Sequence, residues 1–457
     1  MKRGLLALVP AVLACGGPPP QTVQLREAVA AASASPGSGV AFRLPVRLGE
    51  TRLYDLPALG QITANLDAGP GADRLVGFAP DDDLVYTLAD GKLMALDLRI
   101  GRFRTLDSNV ALAAVDATGT VVLAHADGGL AVGSDRRVSP AGQLPAGTRI
   151  EMLWGAPAGR TVAVVRGDSG RRLVTLVSGA VTSTRPLPDG PVARTIWGDV
   201  VAIGTPEGIE LVELLRDTQP LRIHLRPGVL ALAFSASGHR LYVATDEPAI
   251  QIFERFEGDP LGKVAVPGPV TALRADDFGR YVFGVTGDQL VILDALNGTV
   301  AASPGVWGED LPVAGPDGTV LLRRGTDVLA LAPAASTPSG RVSGGAQDRW
   351  LVASWAARGP TTVAAAEAEA SVVGAAPRPG SEIYVQVSST SNAQWAEGLA
   401  SDLRQAGMRA TVLPPATADE MYRVVLGPYA TRDEAETTGR KLGMPYWIFQ
   451  RDAGGAQ

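Results

Sequence analysis

Between about residues 73 and 345 the chain alternates short apolar runs with turns rich in Asp and Gly. The rhythm is clearest in three stretches: "RLVGFAPDDDLVYTLADGKLMALDLRIGRFRTL" from Arg74, "GVLALAFSASGHRLYVATDEPAIQIFERFEG" from Gly228, and "PVTALRADDFGRYVFGVTGDQLVILDALNGTVAAS" from Pro269. Each unit predicts three strands, usually followed by a fourth. Similar units begin near Asn109, Arg149, Pro191 and Trp307. A period of about forty residues with four short strands is typical of a β-propeller blade.

Seven full units fit this region, and the strand "RWLVASWA" at Arg349 to Ala356 opens an eighth. Its partners are expected from the N-terminal side, where "TRLYDLPALGQITANLD" (Thr51 to Asp67) parallels "KLMALDLRIGRFRTLD" (Lys92 to Asp107). A last blade built from both chain ends closes the ring and removes a free sheet edge. The pattern therefore predicts a mainly β protein with an eight-bladed propeller over residues 40–356, and seven blades are the alternative count. Only the general rhythm is similar to WD40-like and quinoprotein-like propellers.

The composition indicates a folded, turn-rich protein and argues against one class of binding partner. The 457 residues are 46% hydrophobic and 19% charged, with 54 Gly, 34 Pro and a net charge of −6. Many Gly and Pro residues favour short elements joined by tight turns. An acidic balance argues against a nucleic-acid partner, since phosphate binding needs clustered cations.

The N-terminus carries the pattern of an export signal. Lys2 and Arg3 precede an apolar run from Gly4 to Leu13, which is too short for a stable membrane span. The run ends in "VLACG", which resembles a bacterial lipobox and implies cleavage before Cys15 and attachment of diacylglycerol to its thiol. Gly16, instead of Asp, favours the outer membrane of a Gram-negative source. Residues 1–15 are thus a predicted lipoprotein signal. Residues 16–39, rich in Pro, Ala, Ser and Gly, are predicted to form a flexible tether, with one or two helical turns around Val23 to Ala32 as an alternative.

No catalytic set emerges from the sequence. The three histidines, His125, His224 and His239, fall in different predicted blades, so neither a metal nor a cofactor is expected. The run from Asp81 to Asp83 is interpreted as a solvated hairpin tip. Glu207 and Glu210 lie at a predicted strand-entry turn, where they could mimic a glycosidase pair, with nothing else in support. We therefore expect a protein that is not an enzyme.

The pattern of apolar runs and turns changes after an Ala/Pro-rich stretch at residues 357–380, which is predicted to be a linker. From 381 to 452 the pattern predicts a strand, a helix with Ala396, Leu399, Ala400, Leu403 and Ala406 on one face, and a strand "RATVL". The strand "YRVVLGPY" (Tyr422 to Tyr429), which ends at a Gly-Pro corner, follows. A helix capped by Thr431 and Glu434 and a strand "YWIFQ" complete the unit. The order βαββαβ predicts a small α+β domain whose sheet has one open face.

Three motifs of this unit resemble the SPOR domain family of bacterial cell-envelope proteins: "YVQVSS", "YRVVLGPY" and "TRDEAE" followed by Leu442. The resemblance implies binding to peptidoglycan glycan strands from which the stem peptides have been removed. It also implies that the first and third strands are neighbours at the centre of the sheet, which brings Gln386 close to Arg423.

Alternation along the strands gives an independent reason for a glycan site. Val385, Val387, Tyr422, Val424 and Leu426 should face the helices, while Tyr384, Gln386, Met421, Arg423 and Val425 should face outward. Arg423 suits the lactyl carboxylate of a peptide-free muramic acid, and an amide suits hydroxyls. The predicted glycan-binding residues are Tyr384, Gln386, Ser389, Met421 and Arg423. An RNA-recognition module has the same strand order, but it requires a basic field, and this unit has seven Lys/Arg against nine Asp/Glu.

Together these features predict a lipid-anchored protein on the periplasmic face of the outer membrane. Its C-terminal domain would bind peptidoglycan, and its propeller would serve as a platform for other envelope proteins in cell division or wall remodelling. One alternative is an outer-membrane protein assembly scaffold. The other is a propeller hydrolase that acts on wall fragments, which convergent polar side chains in the central funnel would favour.

Overall fold

The computed structural model describes Leu25 and residues 39–355, with gaps at 64, 65, 67, 81, 117, 118, 135, 136, 158, 215–218, 227, 237, 256, 257, 296, 297, 333, 334 and 336. It further describes 381–390, 393–405, 407–414, 422–430, 435, 438 and 447–452. Five short strands open the chain: β1 (Val40–Leu44), β2 (Gly49–Glu50), β3 (Arg52–Asp55), β4 (Gln61–Thr63) and β5 (Ala68–Gly69). Of these, β2 pairs with β5.

Seven consecutive antiparallel sheets of four strands follow. Blade 1 contains β6 (Arg74–Ala79), β7 (Leu84–Ala89), β8 (Lys92–Asp97) and β9 (Arg102–Asp107). Blade 2 contains β10 (Val110–Val115), β11 (Val121–His125), β12 (Gly129–Ser134) and β13 (Arg137–Gln143). Blade 3 contains β14 (Arg149–Ala156), β15 (Arg160–Gly167), β16 (Gly170–Val177) and β17 (Ala180–Leu187). Blade 4 contains β18 (Val192–Arg194), β19 (Val200–Thr205), β20 (Gly208–Glu213) and β21 (Leu221–His224).

The remaining three of these sheets have the same meander order. Blade 5 contains β22 (Ala231–Phe234), β23 (Arg240–Ala244), β24 (Ala249–Glu254) and β25 (Pro260–Ala265). Blade 6 contains β26 (Ala272–Ala275), β27 (Tyr281–Thr286), β28 (Gln289–Asp294) and β29 (Val300–Pro304). Blade 7 contains β30 (Val313–Ala314), β31 (Val320–Arg324), β32 (Asp327–Leu331) and β33 (Gly340–Val342).

Blade 8 is composite and confirms the predicted closure. Its strand order is β34 (Arg349–Ala353), β1, β3, β4, so one strand comes from the C-terminal side and three from the N-terminal side. Val352 of β34 is the register partner of Ala41, and Arg43 of β1 pairs with Asp348 at 2.6 Å. The ring therefore has eight blades, the number that the repeat count predicted. The N-terminal part of this blade begins with β1 at Val40. The sequence similarity between Thr51–Asp67 and Lys92–Asp107 had indicated a later start, at Thr51.

Burial follows the position of each strand within its blade. The second strand, such as β7 with the sequence "LVYTLA", is buried along its whole length because blades cover both of its faces. The outer strands β17 and β25 are mostly exposed. This gradient explains why the sequence shows continuous apolar runs inside the ring and mixed polar runs at its rim.

Polar side chains cap the turn between the first two strands in several blades. In each case the side-chain oxygen accepts a backbone N–H from the start of the second strand. The pairs are Asp116 with Thr120 (2.9 Å), Thr195 with Val200 (3.4 Å), Ser235 with Arg240 (3.1 Å), and Asp276 with Tyr281. Because these oxygens satisfy turn amides, the residues belong to the blade repeat itself.

A buried ion pair holds the closure between blades 7 and 8. The Arg323 guanidinium donates to Asp310 at 2.6 Å, and its other donors reach the carbonyls of Ala346 and Asp348. Asp310 also accepts the backbone N–H of Trp350 in β34 at 2.7 Å. The ion-paired side chains are 8% and 1% exposed, so the contact lies inside the protein.

The segment predicted as a free tether is docked at one point. Leu25 is completely buried, in one cluster with Phe78, Leu96 and Leu98 of blade 1 and Phe42 of blade 8. Gly101 lies so close that a Cβ there would be 3.2 Å from Leu25. The prediction of a tether that only adds reach is therefore wrong at Leu25, because an isolated Leu in a Pro- and Ala-rich stretch gives no sign that a complementary apolar cleft exists.

The C-terminal unit has the predicted strand order around one sheet. It consists of β35 (Ser381–Thr390), α1 (Ala393–Gln405), β36 (Ala410–Leu413), β37 (Tyr422–Tyr429) and β38 (Trp447–Asp452), arranged as β36-β37-β35-β38. Its core contains Ala396, Ala400 and Leu403 of α1 against Val385 and Leu426 of the sheet. The second helix lies mostly outside the described residues, of which Ala435 and Thr438 are helical and Ala435 is buried.

Candidate functional site

The sheet face opposite α1 carries three of the predicted glycan-binding residues. Val385, Val424 and Leu426 are fully buried in the core under the helix. The intervening residues Tyr384, Gln386 and Arg423 are half-buried. The predicted alternation is thus present on the two central strands, β35 and β37, and we call the surface around Tyr384, Gln386 and Arg423 the open face.

A β-bulge sets the register on this face. Gln386 is the register partner of Val425, and Ser389 is the partner of Arg423, with the irregularity between Gln386 and Ser388. Strict alternation from Tyr384 would have sent residue 389 to the helix side, and the bulge brings it opposite Arg423. Gln386 and Arg423 are therefore diagonal neighbours, a relation in which Cα atoms are about 7–8 Å apart.

Val425 differs from its predicted exposure. It lies between Gln386 and Thr411 in register on the open-face strands, yet its side chain is fully buried. The Val425 side chain is therefore not available to a ligand. The groups that a ligand can reach are the longer side chains around Val425.

Two of these longer side chains have unused hydrogen-bonding capacity. Among the described residues, the side chains of Arg423 and Gln386 have no hydrogen-bond or ion-pair partner, whereas the Tyr384 hydroxyl donates to Glu382 at 2.7 Å. An arginine has five donors and a glutamine amide has two donors and an acceptor. The open face therefore presents a cation and an amide that can bind a ligand without losing protein contacts.

The Gly-Pro pair of "YRVVLGPY" is a second irregularity and does not end the strand. Residues 427 and 428 form a bulge between the pairs Ile383–Tyr429 and Val385–Leu426. Gly427 has φ of +124°, and a Cβ there would be 3.0 Å from the Ile383 carbonyl oxygen. Only glycine fits this position, and β37 continues through it to Tyr429.

Other predicted residues fall outside what can be described. Met421 and Cys15 lie outside the described residues, and Ser389 is described only by its strand register. The structure adds one strand that the site prediction missed, since β38 pairs Trp447 with Gln386 and Phe449 with Tyr384. The signal was present in "YWIFQ", where aromatic residues alternate with Ile448, which is buried in the core.

The propeller residues considered as chemical candidates are mostly engaged in structural contacts. Glu210 pairs with Arg185 at 2.5 Å and Arg222 at 3.1 Å, so it is not an isolated acid. Asp83 pairs with Arg99 and accepts from the Trp355 indole. The three histidines lie in blades 2, 4 and 5. Within the described part of the chain, no group of three or more His, Cys, Asp or Glu could hold a metal ion.

The propeller axis contains a cavity of about 260 Å³ that sequence reasoning did not identify. Blades 1, 2, 4, 6, 7 and 8 contribute to its wall, which is apolar at Phe78, Phe283 and Trp350. Its charged residues are Asp116, Arg194, Arg274, Asp276, Asp277, Glu309 and Asp310. The available signal was an arginine inside a short apolar inner strand, as in "VARTI" around Arg194 and "ALRAD" around Arg274.

Burial shifts the ionisation of several cavity groups. Desolvation lowers the pKa of the Arg194 guanidinium, although Asp277 and Asp116 oppose that shift. Desolvation also lowers the pKa of Arg274 to about 10. Burial raises the pKa of Asp276 to about 7, against the backbone N–H donors that favour its charged form. Burial therefore disfavours the charged forms of these three groups, whereas Asp277 on the same cavity is exposed.

Comparison with known proteins identifies both parts of the chain. Residues 379–443 match the sequence profile of the SPOR domain. The structure of apo AztD from Citrobacter koseri is similar at 14% identity with a TM-score of 0.52, covering 69% of this chain and 98% of that one. A second structure of Citrobacter koseri AztD gives 12% identity, a TM-score of 0.50 and the same coverages. The dihydro-heme d1 dehydrogenase NirN gives 17% identity and a TM-score of 0.49, covering 69% and 75%.

These similarities show the fold of the propeller and the presence of a SPOR domain. At such low identity the AztD structures show the propeller fold alone. The C-terminal unit is a SPOR domain, which implies peptidoglycan binding and a place in the cell envelope. No curated protein sequence matches the chain significantly. None of the described helices is long and apolar enough to span a membrane.

Proposed function

We propose that this protein is a non-enzymatic envelope lipoprotein that binds peptide-free glycan strands through the open face of its SPOR domain. The observation that carries the proposal is the unpaired Arg423 guanidinium beside Gln386 on a sheet face that α1 leaves uncovered. A muramic acid without its stem peptide has a free lactyl carboxylate, and a guanidinium binds carboxylates with two parallel hydrogen bonds. The Gln386 amide suits the acetamide and hydroxyl groups of the same sugars.

Aromatic residues occupy strand positions next to Arg423 and Gln386, and such residues suit the same ligand. Tyr384 lies next to Gln386 on the open-face side of β35, and β38 places Phe449 and Trp447 opposite these two positions. Sugar rings have apolar faces that pack on aromatic rings. A row of aromatic and polar positions along two adjacent strands is suited to an extended chain of sugars.

The test uses the full chain and sacculi treated with an amidase, compared with intact sacculi. The parent protein should bind the stripped material more strongly. Arg423→Ala should reduce binding about tenfold, as expected for one charge-assisted contact of about 1–3 kcal/mol. Arg404→Ala on the exposed side of α1 is the matched control and should bind as the parent does.

Two outcomes would contradict this proposal. One is a parent protein that does not distinguish stripped from intact sacculi. The other is equal binding by Arg423→Ala, Gln386→Ala and the parent, which would mean that the open face is not the glycan site.

The remaining parts of the proposal concern location and the propeller. Cys15 is the acylation site, supported by the lipobox-like "VLACG", and the anchor places the protein on the periplasmic face of the outer membrane. Cys15→Ser should abolish incorporation of labelled palmitate. The propeller serves as a platform for envelope proteins in cell division or wall remodelling. Cross-linking of the full chain in dividing cells should recover envelope proteins, and their absence would refute the platform role.

A hydrolytic propeller is the second candidate, because the axial cavity has the convergent polar side chains that such an enzyme needs. Two of them, Asp116 and Asp276, accept backbone N–H groups from their own turns, which favours a structural role for them. Release of soluble fragments from purified sacculi by the parent protein would support hydrolysis over the non-enzymatic proposal.

A further inference from the structure

The axial cavity has charged groups of both signs, and most of them already have partners. Asp116 accepts the Thr120 N–H at 2.9 Å. Asp276 accepts the Phe278 N–H at 2.6 Å, and Glu309 pairs with Arg74 at 2.9 Å. These three carboxylates are explained by the turns and by the contact between neighbouring blades.

The two cavity arginines differ in how well their guanidinium groups are hydrogen-bonded. Arg274 donates to the carbonyls of Gly308, Glu309 and Pro312 at 2.5–3.0 Å and lies over the Trp307 ring at 4.8 Å. Arg194 donates only to the carbonyls of Thr195 and Ile196, at 3.3 and 3.5 Å. No carboxylate of the described residues lies within ion-pair distance of Arg194. Its desolvated guanidinium therefore lacks an anionic partner.

Asp277 is a carboxylate on the same cavity that also lacks a partner. It is exposed, and its side chain has no hydrogen-bond or ion-pair partner among the described residues. Asp310 is not available in the same way, because Oδ2 accepts from Arg323 and from the Trp350 N–H, and Oδ1 has almost no accessible surface.

We propose that the axial cavity binds a small zwitterion of the amino-acid or short-peptide class. Arg194 would hold the carboxylate of the ligand, and Asp277 would accept from its ammonium group. A purely anionic or cationic ligand would leave one of the two unsatisfied groups without a partner.

Isothermal titration of the full chain with alanine and with alanyl-alanine tests the proposal. Acetate and ethylammonium each carry one of the two charged groups and serve as partial ligands. The zwitterions should bind, and each partial ligand should bind about tenfold more weakly or worse. Arg194→Gln should lose about tenfold in affinity for the zwitterions. Arg149→Gln on the exposed start of β14 should bind as the parent does.

Several results would overturn the inference. They are no heat of binding with either zwitterion, acetate binding as well as alanyl-alanine, or Arg194→Gln binding as the parent does. Asp277→Asn should also lose about tenfold in affinity for the zwitterions, and its binding as the parent does would contradict the assignment of the ammonium group to Asp277. The inference does not rest on glycan binding, and Arg423→Ala, which alters the SPOR domain, should leave zwitterion binding unchanged.

Discussion

At the scale of single residues, an arginine inside a short apolar strand marks several distinct situations. Arg323 in "VLLRR" is buried and bound to Asp310, and Arg274 donates to three carbonyls. Arg194 and Arg423 lack a carboxylate partner. The four look alike in sequence. Whether a guanidinium has a protein partner depends on groups from other blades or strands. Only the arginines without an anionic partner are candidates for ligand binding.

Arg323→Ala should strongly destabilise the propeller. The substitution leaves the Asp310 carboxylate buried without its cation, and such broken pairs typically cost about 3–5 kcal/mol. The midpoint of urea-induced unfolding should shift to clearly lower concentration. Arg149→Ala, whose side chain is 78% exposed, is the control and should unfold close to the parent. Equal midpoints for the two variants would show that the closure does not depend on this pair.

His239 should make the protein sensitive to mild acid. Desolvation and the nearby cations Arg255 and Arg240 lower the pKa of His239 to about 3, below its value in an unfolded chain. Below about pH 6.5 the unfolded chain therefore binds a proton that the folded chain does not. The free energy of unfolding should fall as pH decreases toward 3, by up to about 1.4 kcal/mol per pH unit.

The pH effect is tested by measuring the stability of His239→Gln and of the control His224→Gln as a function of pH. Between pH 6.5 and 5 the stability of His239→Gln should depend less on pH than that of the parent, because glutamine does not titrate. His224 lies exposed in β21, and its variant should follow the parent. Identical slopes for all three proteins would mean that His239 accepts its proton in the folded state.

At the scale of elements, the sequence predicted the number and composition of the blades well. Each blade is a local meander, so its strands and turns are encoded within about forty consecutive residues. The composite blade was predictable because β34 needed a partner and the N-terminal stretch had the same pattern. The bulges in β35 and β37 were not predictable, since alternation alone assumes an unbroken register. They decide that Ser389 and Arg423 share a register position.

Leu25→Ala should destabilise the contact between blades 1 and 8. Leu25 is fully buried against Phe78 and Leu98, and deleting a buried leucine side chain costs about 2–5 kcal/mol. Thermal unfolding of the full chain measures the effect. Leu48→Ala removes the same atoms from a site that is 77% exposed and should change the melting temperature little. If both variants melt alike, the docking of Leu25 adds no stability.

At the scale of the whole molecule, the propeller and the SPOR domain each have a core of their own. The clusters around Phe42, Phe78 and Leu98 contain propeller residues and Leu25, and the cluster around Val385 and Leu426 contains only C-terminal residues. The two cores are therefore built from separate segments of the chain.

Limited proteolysis should cut the chain first within residues 357–380, because this stretch is rich in Ala and Pro and poor in large apolar residues. Two stable fragments should result, and each should unfold cooperatively when heated. Mass spectrometry of the fragments locates the cut. A first cut inside a blade would contradict the independence of the two domains.

The sequence by itself determined the repeat period, the closure from both chain ends and the SPOR domain. These features depend on local patterns of apolar residues, turns and short motifs, which neighbouring residues in the chain suffice to encode. Only the tertiary structure decided the burial of Leu25, the register of Arg423 and the axial cavity. Arg194, Asp277 and Asp310 lie 33 or more positions apart in the chain. They line one cavity because closing the ring brings the inner strands together, and no local pattern can specify that arrangement.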